Sequence, residues 1–310
     1  MKSKKVNWIF LAMILLHFII IVLLNVLSPV FRLGMVSNFI LSQAMILIPA
    51  IGGTVLAGEN VWKLAGFHKI RISTVFMICL FTYLAMPLTV VVNAVSMLFV
   101  DNTVAAMSGD ILLLPFPLML LVIGFIAPLS EEFVFRGILY QGYKRSGTAL
   151  QAILLSALLF SLMHLNFNQA AYAFVIGLIV ALLVEATGSL WSSVLFHTVF
   201  NSSQVCLMYV SNRLAEGTGS GGAAAAALTR EMLLAAISVS LIVAAVTTAL
   251  AGCVLVWIAK NEKREDSLRA VWKDRKQHRD NMVTVPLLIA VVLALFYMGL
   301  LVVVPYALKA

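Results

Sequence analysis

The chain has 310 residues, of which 62% are hydrophobic and 11% are charged, and its formal net charge is +8 at pH 7. A soluble domain carries about a quarter charged residues, so this composition excludes a soluble enzyme or binding module and indicates a polytopic membrane protein. The basic residues lie in short loops of mixed sign, which argues against nucleic acid as a partner.

Apolar segments recur along the whole chain. Each crossing of a bilayer needs roughly 20 apolar residues, and lipid offers no partner for backbone polar groups, so such segments form helices. The predicted fold is therefore an all-α, polytopic bundle of eight or nine transmembrane helices. The candidate spans are 7–27, 36–57, 74–99, 112–129 (continuing to about 143), 148–165, 170–187, 190–210, 232–259 and 283–308.

Most Lys and Arg residues fall in loops on one side of this arrangement. Cytoplasmic loops of membrane proteins carry an excess of these residues. The sequence therefore predicts a cytoplasmic N-terminus, an odd number of spans and a location in the plasma membrane of a bacterium. The residues on this side are Lys2, Lys4, Lys5, Lys63, Lys69, Arg71, Lys144, Arg145, Lys260, Lys263, Arg264, Arg269, Lys273, Arg275, Lys276 and Arg279.

The chain divides into three predicted parts. Residues 1–110 form N-terminal transmembrane helices, 111–210 form the core that carries the chemistry, and 211–310 form C-terminal transmembrane helices. The last part includes a glycine-rich linker followed by alanines at 217–227. It also includes a charged cytoplasmic loop at about 260–280, expected to be partly helical and to touch anionic lipid headgroups.

Two glutamates and an arginine interrupt the apolar fourth span. A charge in hydrocarbon costs several kcal/mol, and such residues usually face a bundle interior and carry function. Glu132 and Arg136 are four residues apart and share a helix face, which predicts an ion pair. Glu131 points about 100° away and is freer to act as a general base. The alternative is an ion pair that only braces the helices.

Two further pairs at helical spacing follow in the next spans. Phe160 and His164 share a face of the fifth span, and His197 and Asn201 share a face of the seventh. Two side-chain donors on one face can stabilise a developing oxyanion. Each pair alone is also compatible with an interfacial residue or with a hydrogen bond that joins two helices.

The three patterns, in this order, resemble the CPBP family of intramembrane proteases, which includes the CAAX prenyl proteases and the Abi-type bacterial membrane proteases. The family pattern is E-E-x-x-x-R, then F-x-x-x-H, then H-x-x-x-N. The matching residues are Glu131, Glu132, Arg136, Phe160, His164, His197 and Asn201, within a motif region of about 112–205.

The resemblance implies an intramembrane endopeptidase that hydrolyses a peptide bond of a membrane-associated protein or peptide substrate. It implies that Glu131 and His164 activate a water molecule and that His197 and Asn201 bind the oxyanion. Glu132 and Arg136 would support the site, and the catalytic core would comprise four spans.

The sequence leaves three alternatives open. The favoured mechanism needs no cofactor, whereas another places zinc on Glu131, His164 and His197, since His and Glu side chains can leave an open coordination position. A second alternative is a non-catalytic immunity or scaffold protein that binds peptides with the same fold. A third is a proton-coupled transporter, because intramembrane acids and histidines also form proton relays.

The depths of these residues do not match for straight, upright helices. Counted from the predicted cytoplasmic ends, Glu131 lies roughly 20 Å deep, His164 roughly 25 Å and His197 roughly 12 Å. Tilt, an overhang after Arg136 or a re-entrant segment at about 166–169 is therefore expected. Polar backbone is tolerated at membrane depth where it lines a wet cavity, so a water-accessible cavity enclosed by spans four to seven is also predicted.

Overall fold

A computed structural model of the chain describes residues 1–30, 33–217, 229–273 and 280–307. The structure is 85% helical and the residues it describes form no strand, which confirms the predicted all-α fold. Twelve helices follow one another in this part of the chain: α1 (Ser3–Leu27), α2 (Met35–Leu56), α3 (Val61–Ala65), α4 (Ile72–Ser96), α5 (Thr103–Leu112), α6 (Phe116–Ser146), α7 (Ala149–Leu162), α8 (Phe167–Thr187), α9 (Leu190–Gly217), α10 (Arg230–Asn261), α11 (Glu265–Lys273) and α12 (Val285–Ala307).

Among the described helices, seven are long and apolar enough to cross a bilayer, namely α1, α2, α4, α6, α8, α10 and α12. The chain is therefore a multi-pass membrane protein that contacts lipid. Helix α7 has only 14 residues and is about 21 Å long, which is short of the roughly 30 Å hydrocarbon core. The predicted full span at 148–165 is wrong for this reason. Helix α9 has 28 residues and a lower hydropathy than the seven.

Helices α6 and α8 lie at the centre of the bundle. In each of them, 56% of the most apolar 18-residue window is buried within the protein, compared with 22% for α10 and α12. The outer helices therefore leave most of their apolar surface to lipid, whereas protein surrounds the helix that carries the two glutamates.

Helix α6 runs without a break through the charged motif. An α-helical stretch, Ala127–Glu132, lies between two wider π-helical stretches, Leu120–Ile126 and Phe133–Tyr140. Such π-helical turns are rare and often lie at functional sites. The prediction that the fourth span continues to about residue 143 is confirmed.

Helix α9 begins beside Gly137 of α6, well before the end of α6. This offset places the motif residues of the two helices at a similar depth. A Cβ atom built on Gly137 would lie 3.3 Å from the Leu190 side chain, so α9 begins beside Gly137 and not beside Ser146 at the end of α6. His197 follows Leu190 by seven positions, and Glu132 precedes Gly137 by five. At 1.5 Å per residue both intervals are about 8–11 Å, so the side chains of His197 and Glu132 lie at a similar depth.

Two predicted segments lie partly or wholly outside the described residues. The Gly- and Ala-rich segment at 217–227 falls almost entirely on residues 218–228, which the structure does not describe. In the charged loop at 260–280, helix α11 confirms the expected partial helicity, whereas 274–279 lie outside the described residues. The division of the chain at 110 and 210 stays a prediction.

Candidate active site

The two glutamates of α6 have different surroundings. The side chains of Glu132 and Arg136 have no exposed surface, and Arg136 Nη1 lies 3.0 Å from Glu132 Oε1. The side chain of Glu131 is 20% exposed. The predicted ion pair is therefore confirmed, and Glu131 is the one of the two carboxylates with exposed surface.

His197 of α9 lies between both carboxylates. Its Nδ1 is 2.8 Å from Glu132 Oε1, and its Nε2 is 3.8 Å from Glu131 Oε2. An ionised carboxylate only accepts hydrogen bonds, so Nδ1 donates to Glu132. A partner on one nitrogen fixes the orientation of an imidazole, so Glu132 holds the His197 ring with Nε2 directed at Glu131.

The ring of Phe160 packs against three of the motif side chains. Its centroid lies 4.4 Å from the Arg136 guanidinium carbon, 5.0 Å from the His164 ring and 5.9 Å from the His197 ring. Both imidazoles stand almost perpendicular to it, a favoured geometry for aromatic pairs, and the cation gains from the ring face. Sequence spacing predicts only that Phe160 shares a helix face with His164, so its contacts with Arg136 and His197 do not follow from the sequence.

His164 lies just beyond the end of α7 and faces the same site. Its Nδ1 is 2.9 Å from the carbonyl oxygen of Phe160. A carbonyl oxygen only accepts, so Nδ1 donates, and Nε2 of the neutral ring is left as an acceptor. The Phe160 ring contacts the rings of both His164 and His197. The structure thus brings His164 to the residues that α6 and α9 supply.

Asn201 lies one turn beyond His197 on α9. Its Nδ2 donates to the carbonyl oxygen of Ile123, at 3.1 Å, in the first π-helical stretch of α6. A side-chain amide carries two N–H groups, so one remains to serve as a donor towards a ligand. The contact with α6 fixes the direction of that second group.

Zinc was the alternative predicted for Glu131, His164 and His197. In both histidines Nδ1 donates to an acceptor, as the nitrogen that does not bind the metal usually does in a zinc site. Among the described residues, however, no three His, Cys, Asp or Glu side chains are grouped closely enough to hold a metal ion. As placed, the three side chains do not form a zinc site, and zinc dependence stays a prediction.

An apolar cavity of about 580 Å³ lies beside the glutamate pair. Ser130 and Phe133, the neighbours of the pair in sequence, line one end, and Glu59 and Asn60 line the other. Residues of α2, α3 and α6 line this open cavity. The cavity predicted among spans four to seven stays a prediction.

Helices α7 and α8 pack closely at Gly177, beside the ion pair. A Cβ atom built on Gly177 would lie 2.9 Å from both Cα and Cβ of Ala157 and 3.2 Å from Arg136 Nη2. The absence of a side chain at Gly177 therefore lets the two helices enclose the guanidinium.

The substitution Gly177→Ala should lower the free energy of unfolding by about 1–3 kcal/mol, the usual cost of overpacking, because the methyl group has to displace the backbone at Ala157. Gly252 in α10 is the matched control, since nothing lies within 4 Å of its Cβ position. Gly252→Ala should stabilise by up to about 1 kcal/mol. Reversible unfolding in mixed micelles measures both, and equal effects would contradict the packing argument.

Residues 113–203 match the family model of the type II CAAX prenyl endopeptidase Rce1-like proteins. The matched segment contains every residue of the three motifs, and the match confirms the resemblance to the CPBP and CAAX proteases. At the level of the family it supports a CAAX-type intramembrane protease with peptidase activity. No curated protein and no solved structure matches the chain significantly.

Proposed function

Because residues 113–203 match a family of CAAX prenyl endopeptidases, we propose that this protein hydrolyses a peptide bond in a membrane-associated protein or peptide. One observation carries the proposal: Glu131, His164 and His197 come from three separate elements and converge around one buried ion pair. An ion pair that only stabilised α6 would not need Glu131, His164 and His197 beside it.

The first step activates a water molecule between Glu131 and His164. Glu131 takes one proton of the water as its oxygen attacks the carbonyl carbon of the substrate, and Nε2 of His164 accepts a hydrogen bond from the same water. Glu131 suits this role because its side chain is 20% exposed, whereas that of Glu132 is fully buried. A positioned general base contributes about 10²–10⁴-fold to the rate.

The second role is stabilisation of the oxyanion that this attack creates. His197 acts as an imidazolium: Nδ1–H donates to Glu132, and Nε2–H is the donor for the oxyanion. The second N–H of Asn201 is the other donor. Fixed donors of this kind need no reorganisation during the reaction. When the C–N bond breaks, the proton on Glu131 passes to the leaving amine, which returns the carboxylate to its starting form.

Glu132 and Arg136 support this arrangement without touching the substrate. Glu132 orients His197 through Oε1, and Arg136 balances the buried charge of Glu132 through the same oxygen. The apolar cavity beside Ser130 and Phe133 suits an apolar segment of the substrate. The mechanism requires no cofactor.

The topology that fits this function has the N-terminus in the cytoplasm of a bacterium and the protein in its cell membrane. The N-terminal lysines, the basic residues in the last turn of α6 and those after α2 and α10 support this orientation, since such residues favour the cytoplasmic side. In a bacterial membrane, leader peptides, bacteriocins and membrane-bound regulators are the expected classes of substrate.

The test uses the purified full-length protein in lipid bilayers and a library of membrane-tethered peptides. Mass spectrometry identifies new peptide termini, with and without a chelator. Cleavage that persists in chelator is expected. Loss of cleavage in chelator would support the zinc alternative, and saturable peptide binding without cleavage would contradict the proposal and favour the scaffold. Flux driven by a pH gradient, without cleavage, would favour the transporter.

Replacing Asn201 tests the oxyanion role. Loss of one oxyanion donor typically lowers kcat by about 10²–10³-fold, so Asn201→Ala should show this decrease with little change in KM. Asn212 lies on the same helix and bonds the exposed Glu216, at 2.9 Å, so Asn212→Ala should leave both constants unchanged. An unchanged kcat for Asn201→Ala would contradict the assignment.

A further inference from the structure

The turn that carries His164 has an unusual backbone. Helix α7 ends at Leu162 after about 21 Å, and Leu165 then adopts a left-handed conformation with φ of +54°. This conformation is uncommon for a bulky residue and persists only where the surroundings impose it. Leu165 is 7% exposed, so the contacts that impose its conformation come from within the protein.

Asn168, in the first turn of α8, is the centre of the hydrogen bonds around this turn. It is 1% exposed. Its Nδ2 donates to Asn93 Oδ1 at 2.9 Å and to Ser96 Oγ at 2.8 Å, and its Oδ1 accepts from the backbone N–H of Thr103 at 3.2 Å. All three bonds join α8 to the end of α4 and the start of α5.

Asn166 continues these hydrogen bonds to His164. Its Oδ1 accepts from Thr103 Oγ1 at 3.1 Å, and its Nδ2 donates to the carbonyl oxygen of His164 at 2.9 Å. Its Oδ1 also caps the N-terminus of α8 by accepting from the backbone N–H of Gln169. The backbone of His164 is therefore tied to α4 and α5 through two asparagines and Thr103.

We infer that Asn168 is a positioning residue for His164, acting with Asn166 to hold the turn at 163–166 in its left-handed form. This inference rests on the proposed function, in which Nε2 of His164 contacts the reacting water. A displacement of about 1 Å in a catalytic group can cost up to about 10²-fold in rate. A hydrogen-bonded cluster that served only to join helices would not need to impose this conformation on Leu165.

The test compares Asn168→Ala with the wild-type protein in bilayers. We expect kcat to fall roughly ten- to hundredfold with KM within about twofold, and amide hydrogen exchange at 163–167 to accelerate. Ser96→Ala removes one of the three partners and should show the same pattern at smaller amplitude, which covers the case in which Asn168→Ala does not fold. Asn25→Ala, on an exposed asparagine that bonds its own helix, should change neither readout.

A second substitution separates positioning from general packing. Glycine adopts positive φ at no steric cost, so adding Leu165→Gly to Asn168→Ala should recover at least about threefold of the lost kcat. Recovery supports the inference, whereas a further loss would overturn it.

Hydrogen exchange keeps this inference distinct from the proposed function. Unchanged exchange at 163–167 in Asn168→Ala would overturn the positioning role whatever the activity. If the wild-type protein cleaves nothing, the proposed function fails. Faster exchange in Asn168→Ala would then still support the role of Asn168 in holding the turn at 163–166.

Discussion

Glu131→Gln should abolish measurable peptide cleavage, with an expected loss of about 10²–10⁴-fold in kcat. The amide has almost the same shape as the carboxylate but cannot take a proton from water. Because the Glu131 side chain is partly exposed and lies 3.8 Å from His197 Nε2, too far for a hydrogen bond, the free energy of unfolding should change by no more than about 0.5 kcal/mol.

Two controls define what this loss means. Glu216→Gln, on an exposed carboxylate of α9, should leave cleavage unchanged. Glu132→Gln removes the charge that pairs with Arg136 and should lower both stability and activity. Glu131→Gln, in contrast, should lower activity alone. Full activity in Glu131→Gln, at normal protein levels, would show that Glu131 is not the base and would favour the scaffold.

Arg136→Met should give the largest loss of stability in this site. It removes the guanidinium that pairs with the fully buried carboxylate of Glu132, and breaking a buried ion pair on one side typically costs about 3–5 kcal/mol. Reversible unfolding in mixed micelles measures the loss. Arg213→Met is the matched control, because its pair with Glu216 is exposed at 3.2 Å and should contribute no more than about 1 kcal/mol.

A double substitution tests the cause of that loss. Adding Glu132→Gln to Arg136→Met removes the remaining charge, so most of the lost stability should return. Activity should stay low, because Glu132 no longer offers the charged acceptor that holds His197 and the guanidinium no longer packs on Phe160. If Arg136→Met unfolds like the wild-type protein, the ion pair does not stabilise the core.

The sequence was sufficient to predict the fold class and the chemical types in the site. Continuous apolar runs predict helices because the bilayer permits little else. The ion pair of Glu132 and Arg136 follows from their spacing on one helix. The distinction between the two glutamates follows from the same geometry, and the exposed surface of Glu131 agrees with it.

Contacts between distant segments could not be predicted from one sequence. The depth of α9 depends on the packing of Leu190 beside Gly137, which no local pattern encodes. Glu185 is 3% exposed, accepts a hydrogen bond from Tyr140 at 2.5 Å and pairs with Lys144. Its position in the sequence, near the end of α8, indicates neither of these contacts.

The asparagines after His164 illustrate the same limit. A polar stretch at 166–169 indicated a re-entrant segment, because polar backbone at that depth needs partners inside the protein. The partners themselves, on α4 and α5, lie more than 60 residues away in sequence. Only the folded chain shows that this stretch holds the His164 turn.

Single-turnover cleavage in water labelled with heavy oxygen tests the central claim most directly. If Glu131 activates a water molecule, one labelled oxygen should enter the new carboxyl terminus of the product, and none should enter the Glu131 side chain. Mass spectrometry of the product and of the peptide that contains Glu131 measures both. Label in the Glu131 carboxylate would instead indicate direct attack by that carboxylate and would contradict the proposed mechanism.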